Sequence, residues 1–177
     1  MITTERLHIR LIRESDARDL FRLIDNNRAR LKNDFPITTD SIMDLSSTQR
    51  YIKNKIGQFV QKSFFYYILI HRKAQKIIGV VMVKDFDWRV PKGEMAYFLA
   101  ADYEGHGLMY EGAKAVIEKC FEQLELTRLF LRIVPENTRS ITLAERLGFV
   151  KEGHLRQAYR NGDGHLSDML YFGLLKG

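Results

Sequence analysis

Cysteine occurs once in the 177 residues, at Cys120. A single thiol excludes an internal disulfide and any cysteine-cluster zinc site, and it fits a reducing compartment. Proline is scarce too, at three, and glycine stops at 12. A collagen-like or Pro/Gly-rich disordered chain is thereby excluded. No apolar run approaches the ~18 residues that a membrane span needs. Met1–Arg10 alternates charged with apolar residues and lacks a signal-peptide core, so a cytoplasmic protein with no membrane partner is expected. The histidines at His8, His71, His106, His154 and His165 form no pair at metal-ligand spacing, and no metal is expected.

What is present is ordinary for a globule, with 45% hydrophobic and 28% charged residues. The length suits one domain spanning residues 1–177, long enough to bury about 70% of its unfolded surface. Net charge is +6, a balance that can favour nucleic acid, a membrane surface or a polyanionic cofactor. The basic residues are scattered rather than gathered in a tail or an Arg-rich arm. They read as a solvated surface, without direct nucleic-acid contact.

Local periodicity divides the chain. Arg6–Leu11 alternates apolar Leu7, Ile9 and Leu11 and predicts a strand. Ser15 is the expected N-cap of a helix with Leu20, Leu23 and Ile24 on its apolar face. A second short helix is expected over Asn26–Asn33, stopped at Phe35-Pro36 because the residue before proline disfavours helix. Ser46 or Ser47 opens a third helix with Tyr51, Ile52, Ile56, Phe59 and Val60 along one side. Phe64–Ile70 and Ile77–Val83 predict an antiparallel hairpin, Asp85–Lys92 a loop, and Glu94–Ala100 the next strand. An amphipathic helix then runs from Leu108 through Leu124, followed by a strand at Leu129–Val134. Ser140–Leu147 predicts a short helix closed by Gly148 in a left-handed cap. The last two strands fall at Phe149–Leu155 and Met169–Leu175, with a turn signal at Asn161-Gly162. The sum is an α+β fold. It has a mixed, mostly antiparallel twisted sheet of about seven strands, helices on both faces, and one right-handed β-loop-α-β crossover with parallel strands.

The crossover loop, Gly105-His106-Gly107, carries the chemistry. The first amides of a helix have no internal partners and lie at the positive end of its dipole, so a glycine-lined approach to them suits a phosphate. The same glycines could serve only to turn the chain. Two phosphate motifs are excluded. No run matches a Walker loop, and a dinucleotide fingerprint fails because Tyr110 stands where the third glycine would be, the next glycine being Gly112.

Glu104-Gly105-His106-Gly107-Leu108-Met109 resembles the acyl-CoA pyrophosphate loop of the GNAT N-acetyltransferase superfamily. Four further segments fall in that family's order. Glu94-Met95-Ala96-Tyr97-Phe98-Leu99 resembles the strand before the loop, and Pro135–Ser140 the family's Asn-x-x-Ser segment. Leu147-Gly148-Phe149 resembles its closing motif. Asn161-Gly162 with Asp168 and Tyr171 resembles the C-terminal hairpin of the RimJ/RimL-like branch, which acetylates ribosomal-protein N-termini. The opening Thr4-Glu5-Arg6-Leu7 suits that branch as well. Glu104 and Met109 depart from the pattern, in which Gln or Arg and a small residue are common. Because backbone amides do most of the phosphate work, Glu104 is expected to point away from the ligand.

The resemblance implies a cytoplasmic acetyltransferase with acetyl-CoA as cosubstrate and a primary amine as acceptor, foremost a ribosomal-protein N-terminus. A small-molecule amine and a non-catalytic CoA-binding or regulatory domain are the alternatives. Homodimers are common in the branch, and no interface signal is legible. By the same resemblance, the amides of Gly105, His106, Gly107, Leu108, Met109 and Tyr110 would hold the pyrophosphate. Phe98, Leu99, Ala100 and Ala101 would meet the pantetheine arm beside a splay from the next strand, and Leu99 N–H would face the thioester carbonyl. Asn137 would contact a pantetheine amide or, alternatively, cap the next helix. Ser140 would protonate the departing thiolate, contact the cofactor, or cap that helix. Glu94 is the first candidate base, with Tyr159 and Glu152 weaker. Phe86 and Trp88 are loop aromatics that would line an acceptor cleft or pack locally. Cys120 reads as core rather than as a nucleophile.

Overall fold

The computed structural model describes residues 1–177. Its chain forms β1 (Ile2–Thr3), β2 (Leu7–Leu11), α1 (Ala17–Leu31), α2 (Pro36–Ser41) and α3 (Leu45–Val60). The hairpin strands β3 (Phe64–His71) and β4 (Lys76–Asp87) and then β5 (Lys92–Leu99) follow. The second half comprises α4 (Leu108–Glu122), β6 (Arg128–Ile133), α5 (Thr138–Arg146), β7 (Val150–Arg160) and β8 (Leu166–Leu175). The strands make one eight-stranded sheet in the order β1-β2-β3-β4-β5-β6-β8-β7. Every neighbouring pair is antiparallel except β5–β6. The expected architecture stands, with β1 as an eighth strand.

The sheet separates two cores. Because successive strand residues face opposite sides, Phe65, Tyr67 and Leu69 of β3 join a 25-residue cluster under α4 and α5. Tyr66 and Ile68 join a 13-residue cluster under α1 and α3. The central strands are therefore buried on both faces, which is why they read as continuous apolar runs. Gly112 lets α4 lie close to the sheet: a Cβ there would come 2.9 Å from Leu69.

Several local expectations are corrected, mostly at helix ends. Ser15 is not a cap. It lies in a 3-10 turn over Glu14–Asp16, and Asp16 stands before α1, accepting Arg13 N–H at 2.7 Å and a two-pronged Arg10 guanidinium at 2.8 Å. Asn26–Asn33 is no separate helix, because α1 runs unbroken to Leu31. Pro36 opens α2 at its first position, where a missing N–H costs nothing. Asp44, not Ser46 or Ser47, caps α3, and Ser47 returns the bond in a capping box. Asp85–Lys92 is not all loop. β4 continues to Asp87 through a bulge, with Asp85 at φ 51°. β7 and β8 extend to a five-residue connection at 161–165, longer than the apolar alternation alone indicates.

One register feature positions the site. β5 and β6 pair only at Lys92–Arg128, Gly93–Leu129 and Glu94–Phe130. Beyond Glu94 the strands diverge. Leu99 lies opposite Gly79, and Ala100 N–H bonds to Ile78 C=O at 2.7 Å. Leu99 N–H, one residue earlier, therefore faces the splay.

Candidate functional site

The splay opens into a cleft of about 980 Å³. Its floor is the end of β5, and its sides are α1, the 104–110 turn and α5. Gly105 and Gly107 both take positive φ, 79° and 73°, and Gly107 is the N-cap of α4. These conformations leave the first amides of α4 open at the cleft. Arg6 braces the turn from the N-terminal side. It donates to His106 C=O at 2.7 Å and forms an ion pair with Glu111 of α4 at 2.7 Å. Burial pushes the Glu111 carboxyl up, but the bonds from Thr4 and Arg6 outweigh it and hold the carboxyl below its ordinary range.

Of the expected contacts, Leu99, Gly105, Gly107, Leu108, Met109 and Tyr110 line this cleft, as do Asn137 and Ser140. Phe98 lines it too but is largely committed to packing edge-on against Phe35 at 5.3 Å. Ala100 and Ala101 spend their amides elsewhere, on Ile78 C=O and on Asn27 Oδ1 at 3.0 Å. His106 is not among the lining residues, so its ring lies outside the cleft. Glu104 does not point away from the region. Its carboxylate receives Arg30 at 2.7 Å and also Arg139, two cations of the same cleft. Polar donors, positive-φ glycines, an unpaired strand edge and these arginines fit an elongated ligand with amides and phosphates.

A second cavity of about 540 Å³ lies below α2 and α3. Glu94 is on its wall with a side chain 6% exposed. Glu94 Oε2 accepts Lys84 Nζ at 2.9 Å and also Arg132. Arg132 is held above its ordinary value, chiefly by that bond. Lys55 lines the same cavity, 3.8 Å from the centre of the Phe64 ring. Burial lowers its pKa, and the nearby Lys84 adds to the effect. The two cavities share Asp34, Phe35, Tyr97, Val134, Asn137 and Ser140. A group bound in one therefore meets a group bound in the other at this ring of residues. Glu94 is in the second cavity only.

At the junction Asn137, not Ser140, caps α5: its Oδ1 accepts Ser140 N–H at 3.1 Å. The Ser140 hydroxyl is therefore not used as the cap and lies beside the Tyr97 hydroxyl. Tyr97 Oη donates to Ser140 C=O at 3.3 Å. Asp34, at the end of the α1–α2 connection, escaped the sequence reading because it sits in no periodic segment and belongs to no motif. So did Arg30, Lys84 and Arg132, whose only signal was charge. Burial raises the Asp34 carboxyl, against the pull of Arg30 and an Asn137 hydrogen bond of 3.2 Å. Tyr159 reaches the second cavity from β7.

The other candidates fall away on position. Glu152 is tied to Arg128 at the sheet edge. Trp88 stacks on Phe86 at 4.9 Å, and Phe86 packs on Phe65, outside both cavities. Cys120 is buried in the core under α4, and burial pushes its thiol up to about 12. No group of three or more His, Cys, Asp or Glu residues is arranged to hold a metal ion. No helix is long and apolar enough to cross a membrane.

Comparison with known proteins agrees with this geometry. Residues 6–150 match the family model described as an acetyltransferase (GNAT) domain. The chain is 32% identical over 161 residues to the [ribosomal protein uS5]-alanine N-acetyltransferase of Escherichia coli, covering 88% of this chain and 80% of that one. Its fold matches the crystal structure of ribosomal-protein-S5-alanine acetyltransferase from Vibrio fischeri with a TM-score of 0.88 at 22% identity, over 98% and 95% of the two chains. It also matches RimL, a ribosomal L7/L12 alpha-N-protein acetyltransferase in complex with coenzyme A. There the TM-score is 0.89 at 19% identity, over 97% and 95% of the chains.

Proposed function

The chain belongs to the GNAT acetyltransferase family and is an acetyl-CoA-dependent N-acetyltransferase, and we propose that its acceptor is a protein N-terminal α-amine of the ribosomal-protein type, met in the cytoplasm. The observation that carries this reading is the junction of the two cavities at Asn137 and Ser140, beside the splay faced by Leu99 N–H. When bound, acetyl-CoA supplies the thioester carbonyl that the amine attacks and the thiol that leaves. The amides opening α4 and the arginines of the cleft hold phosphate. Leu99 N–H stabilises negative charge on the carbonyl oxygen, a contribution of about 3 kcal/mol for one such donor. The Ser140 hydroxyl, which the helix cap leaves free, gives its proton to the departing sulfur. Glu94 serves as counter-ion to Lys84 and Arg132, keeping the floor of the acceptor cavity in shape.

Acceptor chemistry favours an α-amine over a polyamine. An α-amine ionises near ~8 and an alkylamine near ~10.4, so less free energy is needed to strip the proton from the former at pH 7. Around the acceptor cavity Lys84 and Arg132 are already paired with Asp85 and Glu94, which leaves Asp34 as a single free counter-charge, enough for one ammonium and not for the several of a polyamine. Thiol release from acetyl-CoA should therefore be fast with short peptides copying bacterial ribosomal-protein N-termini and at least ~10-fold slower with spermidine, a ratio worth about 1.4 kcal/mol. Faster turnover with spermidine would overturn the acceptor assignment. Coenzyme A binding without thiol release from any amine would overturn the transfer reading.

The Glu104 carboxylate competes with phosphate for Arg30 and Arg139. Glu104→Gln should tighten coenzyme A by about two- to five-fold, since an exposed pair is worth up to ~1 kcal/mol. Calorimetry at low and high salt checks this, and weaker binding would contradict it.

A further inference from the structure

We propose that Asp34 is the group that takes the proton from the acceptor amine, held at the cavity junction by Asn137 and by the β7–β8 hairpin; the role rests on the acetyl-transfer reading above. Asp34 is the one carboxylate whose residue lines both cavities. It forms no ion pair within the protein, whereas Glu94 and Asp85 in the acceptor cavity are both paired with Lys84 and Arg132. An ammonium arriving through the acceptor cavity therefore finds one uncommitted anion, and finds it where the two ligands meet.

The carboxylate is positioned from several elements. Asn137 Nδ2 donates to Asp34 Oδ2 at 3.2 Å while Asn137 Oδ1 accepts the Ser140 amide at 3.1 Å. One side chain thus ties the proton acceptor to the turn that carries Ser140. From β7, Tyr159 Oη donates to the carbonyls of Asn33 at 2.8 Å and Asp34 at 3.2 Å. Lys32 pairs with Asp163 of the hairpin loop at 2.6 Å. A Cβ on Gly162 would come 2.3 Å from Lys32 C=O, so only glycine lets the hairpin sit this close to the loop bearing Asp34. The charged and titratable groups facing the carboxyl are Arg30 from α1 and Tyr159 from β7. Burial, and after it the charge of Asp34, pushes the Tyr159 hydroxyl up to about 12, so it stays protonated and donating. Partial desolvation at the cavity wall raises the Asp34 carboxyl itself although the residue keeps access to solvent, which suits a group that must accept a proton and then release it to water.

The protons balance. One ammonium proton passes to an Asp34 carboxylate oxygen, and the freed nitrogen lone pair bonds to the acetyl carbon. As the carbon–sulfur bond breaks, a second nitrogen-bound proton replaces the hydroxyl proton that Ser140 hands to the sulfur. Asp34 then returns its proton to solvent. The net change is one amide, one thiol and one released proton.

The test compares the full chain with its Asp34→Asn and Asp34→Glu variants. Asp34→Asn keeps an acceptor for the Asn137 bond and lies in an exposed connection, so folding is preserved. Its kcat/KM at pH 7 should fall about 10²-fold. Its log rate should climb with unit slope up to the free amine's own ionisation near ~8, where the wild type is flat. Asp34→Glu should recover part of the rate and the flat profile. Calorimetry of an acceptor peptide with coenzyme A-saturated protein at pH 7 should show about ten-fold weaker binding to Asp34→Asn, because the ammonium loses its counter-charge. An unchanged pH profile overturns the role, even if the rate falls. A wild type that transfers acetyl alongside an equally active Asp34→Asn overturns Asp34 alone. A wild type that binds coenzyme A and releases no thiol overturns the transfer reading, and Asp34 with it.

Discussion

Ser140→Ala is expected to lower kcat about 10²-fold or more, the usual loss for a positioned proton donor, while coenzyme A affinity stays within about two-fold. The two effects separate because Asn137, not the serine hydroxyl, caps α5. The Ser140 backbone keeps its N–H bond to Asn137 and its C=O bond from Tyr97 in the variant. The melting temperature should therefore barely move, as for other substitutions that remove no cap and open no cavity. Steady-state thiol release with calorimetry on the same preparation decides the matter. Wild-type turnover in Ser140→Ala would dismiss the hydroxyl as proton donor. A lost α5 and weakened coenzyme A binding would instead assign it to structure.

Glu94→Ala is expected to produce the largest loss of stability, about 3 kcal/mol, at the lower end of what breaking a buried ion pair costs. The Glu94 side chain is 6% exposed, and removing it leaves Lys84 and Arg132 on a cavity wall with only their longer 3.4 Å pairing to Asp85. Both cations retain some access to water, which keeps the figure from the upper end of the range. In a chain of this length such a loss lowers the melting temperature by about 6–12 °C. Glu94→Gln retains an oxygen for one of the cations and should cost less than half as much. Thermal denaturation of both variants checks the order. The same pair bears on catalysis. Glu94→Gln should leave the shape of the pH–rate profile as in the wild type, because Glu94 stands away from the cavity junction. A profile that loses its flat region in Glu94→Gln and keeps it in Asp34→Asn would return the base to Glu94.

Short-range pattern alone determined much of this molecule. The alternation of Phe65, Tyr67 and Leu69 with Tyr66 and Ile68 specifies a strand buried on both faces, since side-chain direction follows residue parity. The spacing of Leu108, Gly112, Ala113 and Val116 likewise specifies the helix of the crossover, and Gly105 and Gly107 mark the turn before it. What such pattern cannot encode is the choice among neighbouring polar residues. Asn137 and Ser140 both suit an N-cap, as do Asp44, Ser46 and Ser47, and only the backbone path selects Asn137 and Asp44. The chemistry of the junction lay further out of reach. Glu94 meets Arg132 across 38 residues of chain, and Asn137 meets Asp34 across 103. Leu99 N–H is free only because β5 and β6 part after Glu94. Periodicity records which side of an element is buried, because burial acts on each residue separately. A charge acquires its partner, and a carboxylate its place between two cavities, only when packing brings distant segments together.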